Sequence, residues 1–511
     1  MNPRFSTLGC MRLTSSRYLS LLRSTIRVCR VTPIGRDTSR RAATSTSKSP
    51  IAATRASAQS QRHCFSTARP STMATARKVQ LSLANAGIFS AGPREDTART
   101  ASQLLQEDLE KHHVFFNDQG FHNHLVHQIL TMFALGASPD EVTAMYNRNK
   151  SYQRPALPSD EAVVQSLYDK SRFRELTGNG QNYPHFLAFF QQEIDKKGVE
   201  YVLNEYVFKG DDNAESMLSR LFGGLLHPII HLGFGLEFHQ PAIVAEALAQ
   251  VAVHEDTVAR LFLLPAETRA GGVGKPGKKP MLQILEEMRA DQKLANSVHW
   301  SDGNKIRDGV LKRASEEMIQ HAAEFTVSED QVAGKIAEMI NIPVYYTSTA
   351  QRPPKEIKFD FFFLHSLNSS IFLSTFVALP YLDVRSKLRL LEWKGRMDLL
   401  LYVSRGAPDL LLDEVTGHRA SSSWNTVFAH GNRHPEDDGH LSKALRAIAH
   451  GENICRPFEA QARERGLPIT GDMWLKVGNM VKDSTLKPDN LWVRSTGFEE
   501  AWAGFEDRAR L

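Results

Sequence analysis

His227 and His231 stand four residues apart in the segment HPIIH, and about a hundred residues earlier the segment HNHLVH carries His122, His124 and His127. Imidazoles four apart on a helix lie within about 5–6 Å of each other on one face, a spacing that suits two ligands of one transition-metal ion. Two histidine-rich helices of this kind could close a single metal site between them. Within HNHLVH, His124 and His127 share a helical face, whereas His122 is rotated away from them. The neighbours Leu125, Val126, Ile129 and Leu130 are apolar, which sets these imidazoles against a core. A lone histidine there is usually a satisfied structural residue; two on one face raise the case for ligation.

Pro228 belongs in a first helical turn, which leaves His227 at the helix cap. His365 follows the apolar run FDFFFL, so it is expected to be buried, and a buried imidazole needs a metal, a carbonyl or a carboxylate as partner. Lys394 falls on the stripe of Leu391, Met397 and Leu401, where an unpaired ammonium is costly. Two readings follow. It pairs with Asp398, four residues on and on the same face, or burial keeps it neutral and able to capture carbon dioxide as a carbamate, an anionic oxygen ligand. Spacing alone favours the ion pair. The segment Ser151-Tyr152-Gln153-Arg154-Pro155 places an aromatic and a guanidinium either at a cavity mouth or in a simple turn, and the run 434–452 offers His440 and Lys443 at a helix start that could equally be a solvated charged entry.

The elements that must position these residues read as helical. Ser138-Pro139-Asp140-Glu141 is a capping box with Pro at the first helical position, and Ser328 with Gln331 repeats the cap. Further helical windows are 97–112, 121–135, 160–168, 185–196, 242–253, 312–325, 359–376 and 386–403, with breaks at 270–280, 343–358 and 404–439. No fixed-period repeat marks a solenoid. The expectation is an all-α fold: one large multi-helix domain over 79–511, preceded by a disordered basic leader over 1–78.

Charge separates the two parts. Residues 1–78 hold thirteen Arg and two Lys against one acid, Asp37, a net of +14; the whole chain carries +5, so 79–511 carries −9. An acidic body argues against a nucleic-acid groove. The leader, rich in Arg and Ser and nearly free of acids, has the composition of a mitochondrial transit peptide; a start at Met73 would instead give a cytoplasmic protein. Cys10, Cys29 and Cys64 lie in the leader and only Cys455 beyond it, which excludes an internal disulfide or a cysteine zinc site in the body. No run of about 18 apolar residues offers a membrane span. The segment GGVGKPGKK has Lys279 where a P-loop needs Ser or Thr, and no GxGxxG fingerprint appears, so neither nucleotide site is expected.

Taken together, the blocks FHNHLVHQILTMFALGASPDEVTAMYNRNKSYQRP, GLLHPIIHLGFGLEF, FFFLHSLNSS, LLEWKGRMDLLLYVSRGAP and DDGHLSKALRAI resemble successive segments of the questin oxidase-like proteins, in unbroken order over roughly 80–505. The resemblance implies an oxygenase that opens anthraquinone rings in a Baeyer–Villiger-like outcome. It also implies NADPH as reductant, direct or through a separate reductase, and a mononuclear non-haem iron, Fe(II), held by histidines and in part of the family a carboxylated lysine. Carried onto this chain it suggests His227, His231 and His365, with His124 or His127, and Lys394 as metal ligands. Arg154 or His440 would orient a phenolate or quinone oxygen of the aromatic substrate. A mitochondrial-type leader is unexpected for such an enzyme and leaves the substrate open. Two competing classes are a zinc or manganese hydrolase built on the same histidines and a non-enzymatic helical binding protein.

Overall fold

A computed structural model describes residues 73–487 and 489–508. The leader before Met73, and with it the transit-peptide expectation, lies outside the described residues. Residues 75–78 already pack on the body: Ala76 is buried, and the Arg77 guanidinium donates to Gln191 and Asp195.

The described chain is mainly helical, and its strands among the described residues are two of two residues each. Six helices carry the residues of interest: α1 (Leu125–Ala134), α2 (His227–Glu237), α3 (Pro241–Val253), α4 (Phe363–Ser370), α5 (Val384–Ser404) and α6 (His440–Cys455). The sequences of α1, α2 and α3 are apolar almost all round, and α1 and α2 are buried along their whole lengths. Helices of that kind are stable only inside a larger bundle. Helix α2 packs on α1, α3 and α4, while α6 packs on α1 and α4. Thus α1, α2, α4 and α6 form a closed ring of neighbours. No described helix is long and apolar enough to cross a membrane.

The capping box at Ser138 and Glu141 forms as expected, and Ser328 with Gln331 caps a short 3-10 turn leading into helix Val332–Thr349. That helix runs through Pro343, where a break was expected. An internal proline costs about 3 kcal/mol; the flanking Ile340, Ile342, Val344 and Tyr346 are all buried, and their burial outweighs it. The break expected at 404–439 likewise contains helix Trp424–Arg433. Conversely, the window 359–376 does not begin as a helix. Phe359–Asp360 (β1) pairs in parallel with Trp492–Val493 (β2), register Phe359↔Trp492 and Asp360↔Val493. The Asp360 carboxylate locks this crossing by accepting backbone N–H groups from Phe362, Phe363, Ser495 and Thr496.

Candidate active site

The four ring helices all begin at the same place. His124 is the N-cap of α1 and His127 lies in its first turn; His227 opens α2, with His231 one turn on; His365 is the third residue of α4; His440 opens α6 after Gly439, at φ 100°. Their imidazoles converge. His124 Nε2 lies 2.9 Å from His227 Nε2, His127 Nε2 lies 3.1 Å from His231 Nδ1, and His440 Nε2 lies 3.4 Å from His365 Nε2. The His227 ring is also 4.8 Å from that of His365, and His124 is 4.7 Å from His440, centroid to centroid.

The neutral form is favoured at His124, His127, His227, His365 and His440. Burial pushes His122, His127, His227 and His365 well below the usual imidazole range, and the surrounding imidazoles push the same way. His124 is lowered to about 4, chiefly by burial and then by the Lys443 ammonium. Placement at helix N-termini adds to this, because the positive end of the helix dipole disfavours a cation.

Three of the neutral rings have their tautomers fixed from outside. His227 Nδ1 donates to the Gly224 carbonyl at 2.6 Å, His365 Nδ1 donates to the Phe361 carbonyl at 3.0 Å, and His440 Nδ1 donates to Asp438 at 2.6 Å. A neutral imidazole has one N–H, so Nε2 of each is a bare lone pair directed inward. At 3.4 Å, His365 and His440 therefore face each other as two acceptors with no proton to share. A cation satisfies both, and the 2.9–3.4 Å separations suit neighbouring nitrogens each about 2.1 Å from one ion. His124, Asp438 and His440 also hold their ligating atoms within 4.8 Å of one another. The outer carbonyl and carboxylate partners are the supports that metal-bound histidines use. By the chemistry of its donors, the site fits a transition metal.

The turn before His227 is strained to make this fit. Gly224, Leu225 and Leu226 all have positive φ, 50°, 54° and 67°, and a left-handed conformation costs a non-glycine residue about 1–2 kcal/mol. The reversal brings the Gly224 carbonyl onto His227 Nδ1.

Of the sequence-derived ligands, the structure gathers His124, His127, His227, His231 and His365. Lys394 is elsewhere: its ammonium donates to both Asp398 oxygens at 2.6 Å and to the Ser366 carbonyl at 3.2 Å. This is the ion pair that the helical spacing favours. The lysine that reaches the imidazoles is Lys443, one turn into α6. It is buried, and its charge bears on His124, His127, His227, His365 and His440. Burial lowers its ammonium to about 8 against the opposing pull of Asp438 and Asp437. Burial also pulls Asp438 upward, but His440 and His124 outweigh it and hold the carboxyl well below its usual range.

His440, a second-rank site residue by sequence, belongs to the cluster itself. His122 and His254 extend it: the His122 ring stacks on His227 at 3.8 Å, and His122 Nε2 lies 2.8 Å from His254 Nε2. His254 is isolated in sequence, so spacing gives no signal for it.

The cluster opens into a cavity of about 860 Å³ lined by Phe115, Phe116, Phe361 and Phe362 as well as by His122, His124 and His227. Arg154 lies on its wall, donating to Asp118 and to the Asn117 carbonyl. The guanidinium is thus at a cavity, as one of the two sequence readings had it, while Tyr152 packs outside on Phe116.

The described chain is thus a mainly helical body that holds a buried polyhistidine centre at the end of an aromatic cavity. The chain belongs to the questin oxidase-like family, whose family model matches residues 121–448. It is 41% identical to the Baeyer-Villiger oxidase ptaJ of Pestalotiopsis fici over 84% of this chain and 98% of that protein. It is 38% identical to a questin oxidase of Aspergillus terreus over 84% and 98%, and 40% identical to the oxidoreductase AflY of Aspergillus parasiticus over 83% and 86%. The protein is an oxidoreductase.

Proposed function

We propose that this enzyme inserts oxygen into, and so opens, a ring of a polycyclic aromatic or quinone substrate of the anthraquinone kind, using dioxygen and electrons from NADPH, directly or through a reductase. One oxygen atom would enter the substrate and the other leave as water, with two electrons drawn from NADPH. The observation that carries this reading is the set of inward Nε2 lone pairs on His227, His365 and His440 at the end of an aromatic cavity. The names of the relatives support the reaction class.

Iron(II) held by these imidazoles would supply the redox chemistry that dioxygen requires. His124, His227, His365 and His440 are the donors best placed for it, and the pair His127–His231 backs them. Asp438 keeps the His440 lone pair turned inward. Between Lys394 and Lys443, it is Lys443 that takes the role that the family resemblance gives to a carboxylated lysine. Its neutral amine would add to carbon dioxide, forming an N–C bond and releasing one proton, and the resulting carbamate would place an anionic oxygen among neutral nitrogens. Phe115, Phe116, Phe361 and Phe362 would hold a flat ring system and keep bulk water from the reacting carbon. Arg154 would steer an oxygen substituent at the cavity wall.

The test is anaerobic reconstitution of the full chain with Fe(II), followed by oxygen uptake with NADPH and a panel of hydroxyanthraquinones. Substrate-dependent uptake that tracks iron content is expected. Turnover with zinc and without oxygen would overturn the reading.

A further inference from the structure

Arg494 follows β2 as Phe361 follows β1, so the parallel pairing carries them into the next register position side by side. The Phe361 N–H donates to the Val493 carbonyl at 2.8 Å, and the Arg494 guanidinium lies 4.2 Å over the Phe361 ring. The same ring packs on His440 and His365, centroids 4.8 and 5.1 Å away. Both residues line the cavity. This parallel pair is the one sheet among the described residues, and it joins segments more than 130 residues apart to put a guanidinium one aromatic ring from the imidazole cluster.

The charges facing that cavity are otherwise matched. Arg154 is paired with Asp118, and Asp438 is engaged by His440 and opposed to Lys443. Arg494 alone of the cavity arginines has neither an ion pair nor a side-chain hydrogen bond among the described residues. A guanidinium stacked on an aromatic face keeps its planar donor edge free, and that edge matches an anionic oxygen.

From this arrangement we infer that Arg494 is the specificity-determining residue of the cavity: it recognises an anionic oxygen, phenolate or carboxylate, on the aromatic substrate, while the ring lies along the phenylalanine wall. The inference rests on the aromatic-substrate reading above. It gives the two-stranded sheet a purpose, because the strand pairing positions both the stacking ring and the charge.

Binding to the metal-free full chain tests it without turnover. Fluorescence quenching would be measured with anthraquinone-2-carboxylate against its carboxamide, and with 2-hydroxyanthraquinone against its methyl ether, in wild type, R494Q and R494K. Wild type is expected to prefer the ionised member of at least one pair by about tenfold or more, the order of a charged hydrogen bond. R494Q should lose that preference while keeping its affinity for the neutral members, and R494K should keep part of it. The pair that responds identifies the oxygen as carboxylate or phenolate. A preference unchanged in R494Q, or none in wild type, overturns the role of Arg494 and leaves the aromatic reading standing. Failure of all four probes to bind wild type overturns both.

Discussion

Lys394 and Lys443 are long cationic side chains that helices carry into the same interior, and they end in opposite circumstances. On α5, Lys394 meets the Asp398 carboxylate at 2.6 Å and a backbone carbonyl; its charge is answered within its own helix. On α6, Lys443 faces neutral imidazoles instead, and the nearest acids act on it only as charges at a distance. Burial is therefore not what marks a functional lysine. What distinguishes them is whether the fold supplies a partner, because a paired ion is a strut and an unpaired amine is a reagent.

Substitution should separate the two most sharply. Lys394→Met strands a buried carboxylate and is expected to cost about 3–5 kcal/mol of stability, read as a shift in the urea midpoint; adding Asp398→Leu should recover most of it. Lys443→Met removes a charge that has no ion-pair partner and should leave the midpoint near wild type while abolishing oxygen uptake. If Lys443→Met unfolds the protein and Lys394→Met leaves it stable but inactive, the assignment of roles is reversed.

Acid should find the imidazole region first. His124 and His254 are lowered to about 4 in the folded chain against 6.5 unfolded, so between those values the unfolded chain binds more protons. Stability is complete above about pH 6.5 and falls as pH drops, by about 1.4 kcal/mol per unit for each such group. Metal-free protein compared by urea unfolding at pH 7.5 and 5.5 is expected to lose about 3 kcal/mol from these two groups. Loading with Fe(II) or Zn(II) should raise the midpoint at both pH values, since the ion binds the folded imidazoles and not the unfolded chain. No rise with either metal would separate these imidazoles from metal binding.

The helical class and most of the histidines are legible in the sequence because they depend on local periodicity: His124 with His127 and His227 with His231 announce themselves by spacing, and the capping box at Ser138 needs only four residues. Lys443 and His254 are not legible in that way. His254 stands alone in its segment, Lys443 stands out only as a helix-start candidate beside His440, and what makes either part of the site is the packing of distant helices, which no local pattern encodes. Arg494 is harder still, because it depends on strand pairing between 359–360 and 492–493, and two-residue strands carry no detectable alternation. Lys394 was the converse case: its apolar stripe announced burial correctly, but burial alone could not choose between two uses of an amine.

The smallest expected effect is the most selective test of the cluster. Asp438 is half-buried on the cavity wall and bonds His440 Nδ1 at 2.6 Å. Asp438→Asn keeps an oxygen that can accept the same N–H, so the ring need not turn, yet it removes the negative charge that makes the opposite nitrogen a stronger donor. Loss of such an outer partner typically weakens metal binding about 10–100-fold, and a chelator-competition titration would read it. The matching change on the structural side, Asp398→Asn, leaves the Lys394 ammonium without its counter-charge and should lower stability while sparing metal affinity. Were the two variants to exchange phenotypes, the ion would have to lie beside α5 rather than at the mouths of the four ring helices, and the tautomers of His227, His365 and His440 would need another explanation.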